Sequence, residues 1–316
     1  MIDLIHDCDP GNDDAVAILA ALGTEKLNLL AVTTGAGHLA GERTAQNAAI
    51  AVAAARPAGA PVSAGSTRPL LRERVIARLL DHDCGLDPVR SDLPAVPLEA
   101  MHSVDRIAHE LRVNPGLTIV ATGPLTNLAL LIRRYPEEAG RIGRIVTLGG
   151  AWGLGSKTAA AEWNIFCDPE AAAIVYGAGI PLTMVPIDAS SQVPIDSDLV
   201  AAVETLTGPA ASLAAELLRS LTTTFYPGVL TPARTPLHDP CAVLVAAHPE
   251  IGRTAPAHVE VETTPGLNYG RTVVDFAGRS GKPDNCSVVI AFDAEATHRH
   301  LVTALANLSQ LQEKDG

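Results

Sequence analysis

An α/β fold with a mostly parallel central sheet flanked by helices is what this 316-residue sequence predicts, on three observations. Short, nearly continuous apolar runs recur along the chain, too uniform in hydropathy to leave one face of a sheet in water. Longer segments of helical character separate them. Most of the runs end in polar or glycine-containing turns. Strands buried on both faces and joined by helices make a parallel sheet covered on both sides.

The elements follow in order. Ile2 to His6 reads as a strand and Asp13 to Leu22 as a helix. Leu27 to Thr34 is a second strand, followed by a helix over Thr44 to Ala55. Leu117 to Ala121, Ile145 to Leu148 and Pro181 to Val185 are further strands. Arg271 to Phe276 and Cys286 to Ala291 are expected as additional strands, antiparallel at the sheet edge or beside it. Helices from about Leu199 to Thr224 should form a subregion packed on the sheet. With no Ser/Gly-rich linker and no internal repeat, residues 1–309 are expected to form a single domain, with 310–316 a disordered tail.

Composition bounds the function. A hydrophobic content of 47% against 18% charged residues describes a chain with ample surface to bury. The net charge of −12, with no Lys/Arg-rich run and only 3% aromatics, argues against a nucleic-acid backbone or an anionic membrane as partner. Five scattered cysteines without a CxxC spacing suggest neither a disulfide framework nor a thiolate zinc site. Asp3, His6 and Asp7 interrupt any signal-peptide core, and no apolar run could span a bilayer. The expectation is a soluble cytoplasmic protein.

The chemistry is expected where the first strand ends, in Asp7-Cys8-Asp9-Pro10-Gly11-Asn12-Asp13-Asp14. One carboxylate there could cap the helix and others could complement its dipole. That leaves unexplained why Asp7 closes the strand and Pro10-Gly11 bends the chain between the acids. Several carboxylates converging on one point suit a hard divalent cation with oxygen ligands, Ca²⁺ or Mg²⁺. Residues 33–38, 122–127 and 149–151 also follow strands, so these loops should converge on the same edge, where such sheets bind ligands. Leu237-His238-Asp239-Pro240 reads by itself as a helix start with Asp239 as cap and Pro next, and Asp168-Pro169 reads the same way. Glu162-Trp163-Asn164 places an aromatic between two hydrogen-bonding side chains.

Together these points resemble the inosine-uridine-preferring nucleoside hydrolase family. Its DxDPGxDDA signature runs unbroken from Asp7 to Ala15. The likeness continues through Thr33-Thr34, the GPLTN run at 123–127, Glu162 to Phe166, Asp168 to Ala172, His238-Asp239-Pro240 and Arg271 to Asp275. The resemblance implies a Rossmann-like nucleoside hydrolase fold and Ca²⁺ held by Asp9, Asp14, the backbone carbonyl of Thr126 and Asp239. It implies hydrolysis of a nucleoside to free base and ribose, with Asp9 deprotonating a water and an oxocarbenium-like transition state. Asp13 would then bind the 2′-hydroxyl, Asn164 the 3′-hydroxyl and Glu162 the 5′-hydroxyl. His238 is the natural proton donor to the departing base, its ordinary pKa lying near neutrality. His82, in a loop similar to the family's HGxDGL, and the aromatic pair Phe225 and Tyr226 are candidates to contact the base. A homodimer or homotetramer and a role in nucleoside salvage are also implied.

Two positions depart from the family pattern. His38 and Ser156 stand where the family usually has asparagine. Imidazole can still donate a hydrogen bond, and serine leaves room around the 5′-position. These changes motivate two alternatives, a catalytically weak Ca²⁺-dependent ribose- or nucleoside-binding protein and a hydrolase of a modified nucleoside. A Mg²⁺ phosphohydrolase using Asp7 or Asp9 as nucleophile fits less well, because Pro10-Gly11 follows the second acid and no basic residue lies in the loop to balance a phosphate.

Overall fold

Ile2–Cys8, the first apolar run, lies in the middle of a ten-stranded sheet in the computed structural model, which describes residues 1–55, 59–75, 86, 93–223 and 235–315. The strands are β1 (Ile2–Cys8), β2 (Leu27–Thr34), β3 (Val62–Ser63), β4 (Leu98–Glu99), β5 (Thr118–Ala121), β6 (Arg144–Leu148), β7 (Leu182–Val185), β8 (Gly252–Val261), β9 (Thr272–Asp275) and β10 (Cys286–Phe292). Their spatial order is β4-β3-β2-β1-β5-β6-β7-β10-β8-β9. From β4 through β10 every pairing is parallel, and β8 and β9 add an antiparallel edge.

Successive strands step outward from β1 to β4, and the chain then returns to lay β5 on the other side of β1. The order therefore reverses between β1 and β5, and a crevice opens beyond their carboxyl ends. Alternate residues of the central strands feed two helical layers. Leu4, Val32, Val120 and Val146 pack with the helices Asn12–Gly23, Gly41–Ala55, Asp239–Ala247 and Ala294–Asp315. Ile5, Ala31, Ile119 and Ile145 pack with Ser103–Val113, Thr126–Arg134 and Pro169–Tyr176 on the other face. This alternation explains why the strands are apolar throughout. The final helix, Ala294–Asp315, continues through residues 310 to 315, which composition assigned to a tail. Among the described residues no helix is long and apolar enough to cross a membrane.

The far edge differs from the sequence expectation. β10 lies parallel beside β7, and its antiparallel neighbour is β8, which the apolar-run criterion passed over. With Arg253, Pro256 and Glu260 in a largely exposed stretch, β8 lacks the uniform hydropathy of a strand buried on both faces.

Asp7 fixes the crevice. Buried at the end of β1, it accepts hydrogen bonds from Thr33 Oγ1 (2.7 Å) and Asn127 Nδ2 (2.8 Å). The Asn127 amide also donates to the Thr34 carbonyl and accepts from Ser66 N and Oγ at 3.0 and 2.8 Å. One buried knot thus ties the carboxyl ends of β1 and β2 to the loop after β3 and the helix after β5. Asn127→Leu would remove one of the two hydrogen bonds to the Asp7 carboxylate and leave the Ser66 N–H without its partner, so denaturant unfolding should show a loss of roughly 2–4 kcal/mol. A loss below about 0.5 kcal/mol would remove the knot from this account.

Candidate active site

The acidic loop leaves β1 at the switch point, and its carboxylates divide between two tasks. Asp9 is not a helix cap, since the helix Asn12–Gly23 is capped at Gly11. Its side chain, 1% exposed, is wedged between two glycines from neighbouring loops. A Cβ on Gly37 would overlap Asp9 Oδ2, and one on Gly123 would lie 2.6 Å from Oδ1. Both loops therefore need glycine here because the carboxylate fills the space a side chain would take. Oδ2 accepts the His38 backbone N–H at 2.9 Å, with His38 Nδ1 at 3.3 Å. The His38 ring stacks on Trp163, centroids 4.2 Å apart and planes within 9°. Burial disfavours the His38 imidazolium, but the Asp9 hydrogen bond and charge outweigh it and raise its pKa.

Asp13, Asp14 and Asp239 form the second group, each offering an oxygen within 4.8 Å of the others. Asp239 is the first residue of its helix and His238 occupies the cap position, so the Asp239 carboxylate joins the cluster instead of capping. At an effective dielectric near 20, each pair of charges at that 4.8 Å separation repels by about 3.5 kcal/mol. Burial first, then the neighbouring carboxylates, push the Asp14 and Asp239 pKa values well up. Asp14 Oδ1 accepts the Thr122 hydroxyl at 2.6 Å, and Thr122 Oγ1 lies 2.9 Å from His6 Nε2. Because that hydroxyl proton points to Asp14, His6 must supply the proton on Nε2. Its Nδ1 is then a buried acceptor with no partner, consistent with a ring that burial keeps neutral, its pKa lowered to about 3.

Asn164 completes the cleft. Its Nδ2 donates to the Thr122 carbonyl at 2.7 Å and to the Leu148 carbonyl at 3.2 Å, while Oδ1 is buried without a partner. Oxygen donors crowded by mutual repulsion, next to an orphaned amide oxygen, fit a hard divalent cation together with hydroxyl-bearing ligands.

Residues 4–299 match the sequence profile of the inosine-uridine preferring nucleoside hydrolases. The chain belongs to that family. It is 38% identical over 304 residues to a pyrimidine-specific ribonucleoside hydrolase of Shewanella sp. (strain MR-7), covering 96% of both chains. A pyrimidine-specific ribonucleoside hydrolase of Salmonella arizonae is 36% identical over 293 residues, with 92% of this chain and 94% of that one covered. Among solved structures, a purine-preferring ribonucleoside hydrolase from Gardnerella vaginalis superposes with a TM-score of 0.89 at 27% identity, covering 98% of this chain and 99% of that one.

As a nucleoside hydrolase the protein is an N-ribosyl hydrolase, and the remaining candidate residues can be located on that basis. Glu162 is buried and caps the helix Trp163–Cys167, with Oε1 accepting Asn164 N–H and Oε2 accepting Gly150 and Ile165 N–H. Burial raises its pKa despite these three donors. Ser156 is exposed, its hydroxyl accepting the Trp163 N–H at 3.1 Å. His238 is half-buried, with Nδ1 2.7 Å from Ser190 Oγ; burial lowers its pKa, against the pull of Asp13. Asp168 is the helix cap its sequence suggested, accepting from Ala171 N–H. Thr126 lies at the start of its helix, and its hydroxyl donates to Asp168. His82, Phe225 and Tyr226 lie outside the described residues. Thr122, His6 and Ser190 touch the site and were not singled out from sequence. The sequence placed Thr122 only as the first residue of a loop expected at the sheet edge, and the register of β5 on β1, with Ala121 opposite Asp7, is what brings it to the acids.

These shifts set a pH dependence for the cation-free enzyme. A carboxyl whose folded pKa is raised stabilises the fold below its unfolded value near 4, and that contribution is lost as pH rises through the folded pKa. Asp7, held at about 6 by burial, behaves this way, and Asp14 and Asp239 extend the loss upward. His6 acts oppositely, but only below its unfolded value of 6.5. In chelator, the melting temperature should therefore fall between pH 6.5 and 8, and Asp14→Asn should flatten the slope. A rising or level wild-type profile in that window contradicts the assignment.

Proposed function

We propose that the enzyme hydrolyses the N-glycosidic bond of pyrimidine ribonucleosides with a resident Ca²⁺, Asp9 acting as general base and His238 as proton donor to the departing base. The observation that carries this reading is the trio of half-buried Asp13 and buried Asp14 and Asp239 lying with Thr122 and the orphaned Asn164 oxygen. The pyrimidine preference rests on the relatives of 36–39% identity, whose names specify pyrimidine ribonucleosides. Cytoplasmic nucleoside salvage by a homodimer or homotetramer accompanies the proposal.

Asp9, Asp14, Asp239 and a main-chain carbonyl would hold the cation. We assign that carbonyl to Thr122 in place of Thr126, because the Thr122 carbonyl lies in the cleft against Asn164, whereas the Thr126 carbonyl belongs to the first turn of the helix Thr126–Arg134 and is committed to its hydrogen-bond ladder. Bound there, a divalent ion supplies positive charge that grips a cis-diol and acidifies water.

The residues of the chain carry the rest. Asp13 accepts the 2′-hydroxyl and Asn164 Oδ1 the 3′-hydroxyl, which fixes the ribose against the cleft floor. Glu162 has both oxygens held by backbone donors and meets the 5′-hydroxyl with a remaining lone pair. Asp9 takes one proton from the attacking water as its oxygen bonds to the anomeric carbon. The C–N bond breaks toward the base, which carries away the electron pair and is protonated by His238, giving ribose and free base.

Free-base release from a nucleoside panel, followed by chromatography, tests the reading. Wild type should release uracil or cytosine, and Asp9→Asn should be slower by at least about a thousandfold. His238→Ala should lose most activity on uridine yet keep it on an aryl riboside whose leaving group needs no proton. Equal losses on both would remove His238 as the acid. Thr122→Val should weaken Ca²⁺ binding roughly 10- to 100-fold by calorimetry, the value of a hydrogen bond to a charged group, while Thr126→Val leaves it unchanged. Unchanged binding by Thr122→Val removes its hydroxyl, and the Asp14 orientation it gives, from the cation's surroundings.

A further inference from the structure

A second cluster of metal-ligating side chains lies at the opposite end of the sheet, where β1 and β2 begin. His248 follows the last residue of the helix Asp239–Ala247, Glu250 lies in the adjoining turn Pro249–Ile251, and His300 comes from the helix Ala294–Asp315. One ligand atom from each lies within 4.8 Å of the other two. The imidazoles stack with centroids 3.7 Å apart and planes 27° from parallel. Lys26, just before β2, brings its ammonium to 3.2 Å from His248 Nδ1 and 3.8 Å from Glu250 Oε1. A cation therefore already sits among these donors, and it is the chain's own.

Two features separate this cluster from an ordinary surface ion pair. His300 makes no hydrogen bond to another described residue, although its ring is stacked on His248, whose Nδ1 lies 3.2 Å from both Lys26 Nζ and Glu250 Oε1 and can accept from the first or donate to the second. His248 is the enclosed member, its side chain 12% exposed against 60% for Glu250 and 54% for Lys26. Zn–N and Zn–O bonds of about 2.0–2.1 Å require ligand atoms roughly 3.4 Å apart, and imidazole lone pairs lie in the ring planes, so closure needs about an ångström of approach by the exposed Glu250 together with a turn of the two stacked rings out of their near-parallel arrangement. Two neutral nitrogens and one carboxylate suit a borderline ion far better than Ca²⁺.

We infer that His248, Glu250 and His300 form a second cation site, selective for Zn²⁺-like ions over Ca²⁺ and occupied by the Lys26 ammonium when no such ion is bound. An ion there displaces Lys26 and clamps the last helix to the end of the helix that begins at Asp239. Nothing in this step depends on the chemistry of the acidic cleft.

The full chain, stripped with chelator and returned to excess Ca²⁺ to occupy carboxylate sites, would be titrated with Co²⁺ and read by visible absorption. Wild type should take up one Co²⁺ with the strong bands of a four-coordinate nitrogen/oxygen site, and should keep them in an Asp14→Asn background. Lys26→Met should bind roughly tenfold tighter by loss of the competing ammonium, and His300→Ala should lose the bands, with uridine hydrolysis unchanged in both. Tighter binding by Lys26→Met is a gain that misfolding cannot imitate. Bands absent from both wild type and Lys26→Met, or persisting in His300→Ala, overturn the site.

Discussion

Holding several carboxylates together in a buried crevice is the constraint on which the structure turns. At about 3.5 kcal/mol of repulsion per pair, Asp13, Asp14 and Asp239 could not share that space on a compliant scaffold. Three acids of the loop are pinned by the chain around them. Asp14 is bound to Thr122, Asp9 is walled by Gly37 and Gly123, and Asp7 is fastened by Thr33 and Asn127. The repulsion stored there is what makes the crevice receptive to positive charge.

That arrangement requires the topology that surrounds it. Because strand order reverses between β1 and β5, the loops leaving these two strands diverge and leave a crevice between them, and the acidic loop and Thr122 line it. The same topology brings the helix Asp239–Ala247 against the Asn12–Gly23 helix, so that residues 14 and 239 become neighbours. Cleft and helix layers are one construction. The apolar residues that make β1 central also bury the strand end from which the acids emerge.

Much of this was legible beforehand. The apolar runs gave the parallel strands, because a strand covered on both faces must be apolar at every position. The density of acids between Asp7 and Asp14 located the crevice, since such charge needs a compensating partner wherever the fold puts it. Local reading worked for Asp168, whose role as a cap involves only its own helix. It failed for Asp239, which has the same Asp-Pro start but turns its carboxylate to residues far away in sequence. It also passed over β8, whose pairing with β10 holds in place a strand too polar to announce itself.

What the sequence determined by itself is the composition of the layers and the presence of an acidic, cation-seeking loop, because hydropathy period and charge density act over a few residues. Only the tertiary structure decided which atoms meet. It set the Thr122 hydroxyl on Asp14, chose the tautomer of His6, stacked His38 on Trp163 and gathered His248, Glu250 and His300 at the other end of the molecule. Such contacts depend on sheet register and helix packing, which fix distances between residues from about fifty to more than a hundred positions apart that no local pattern encodes.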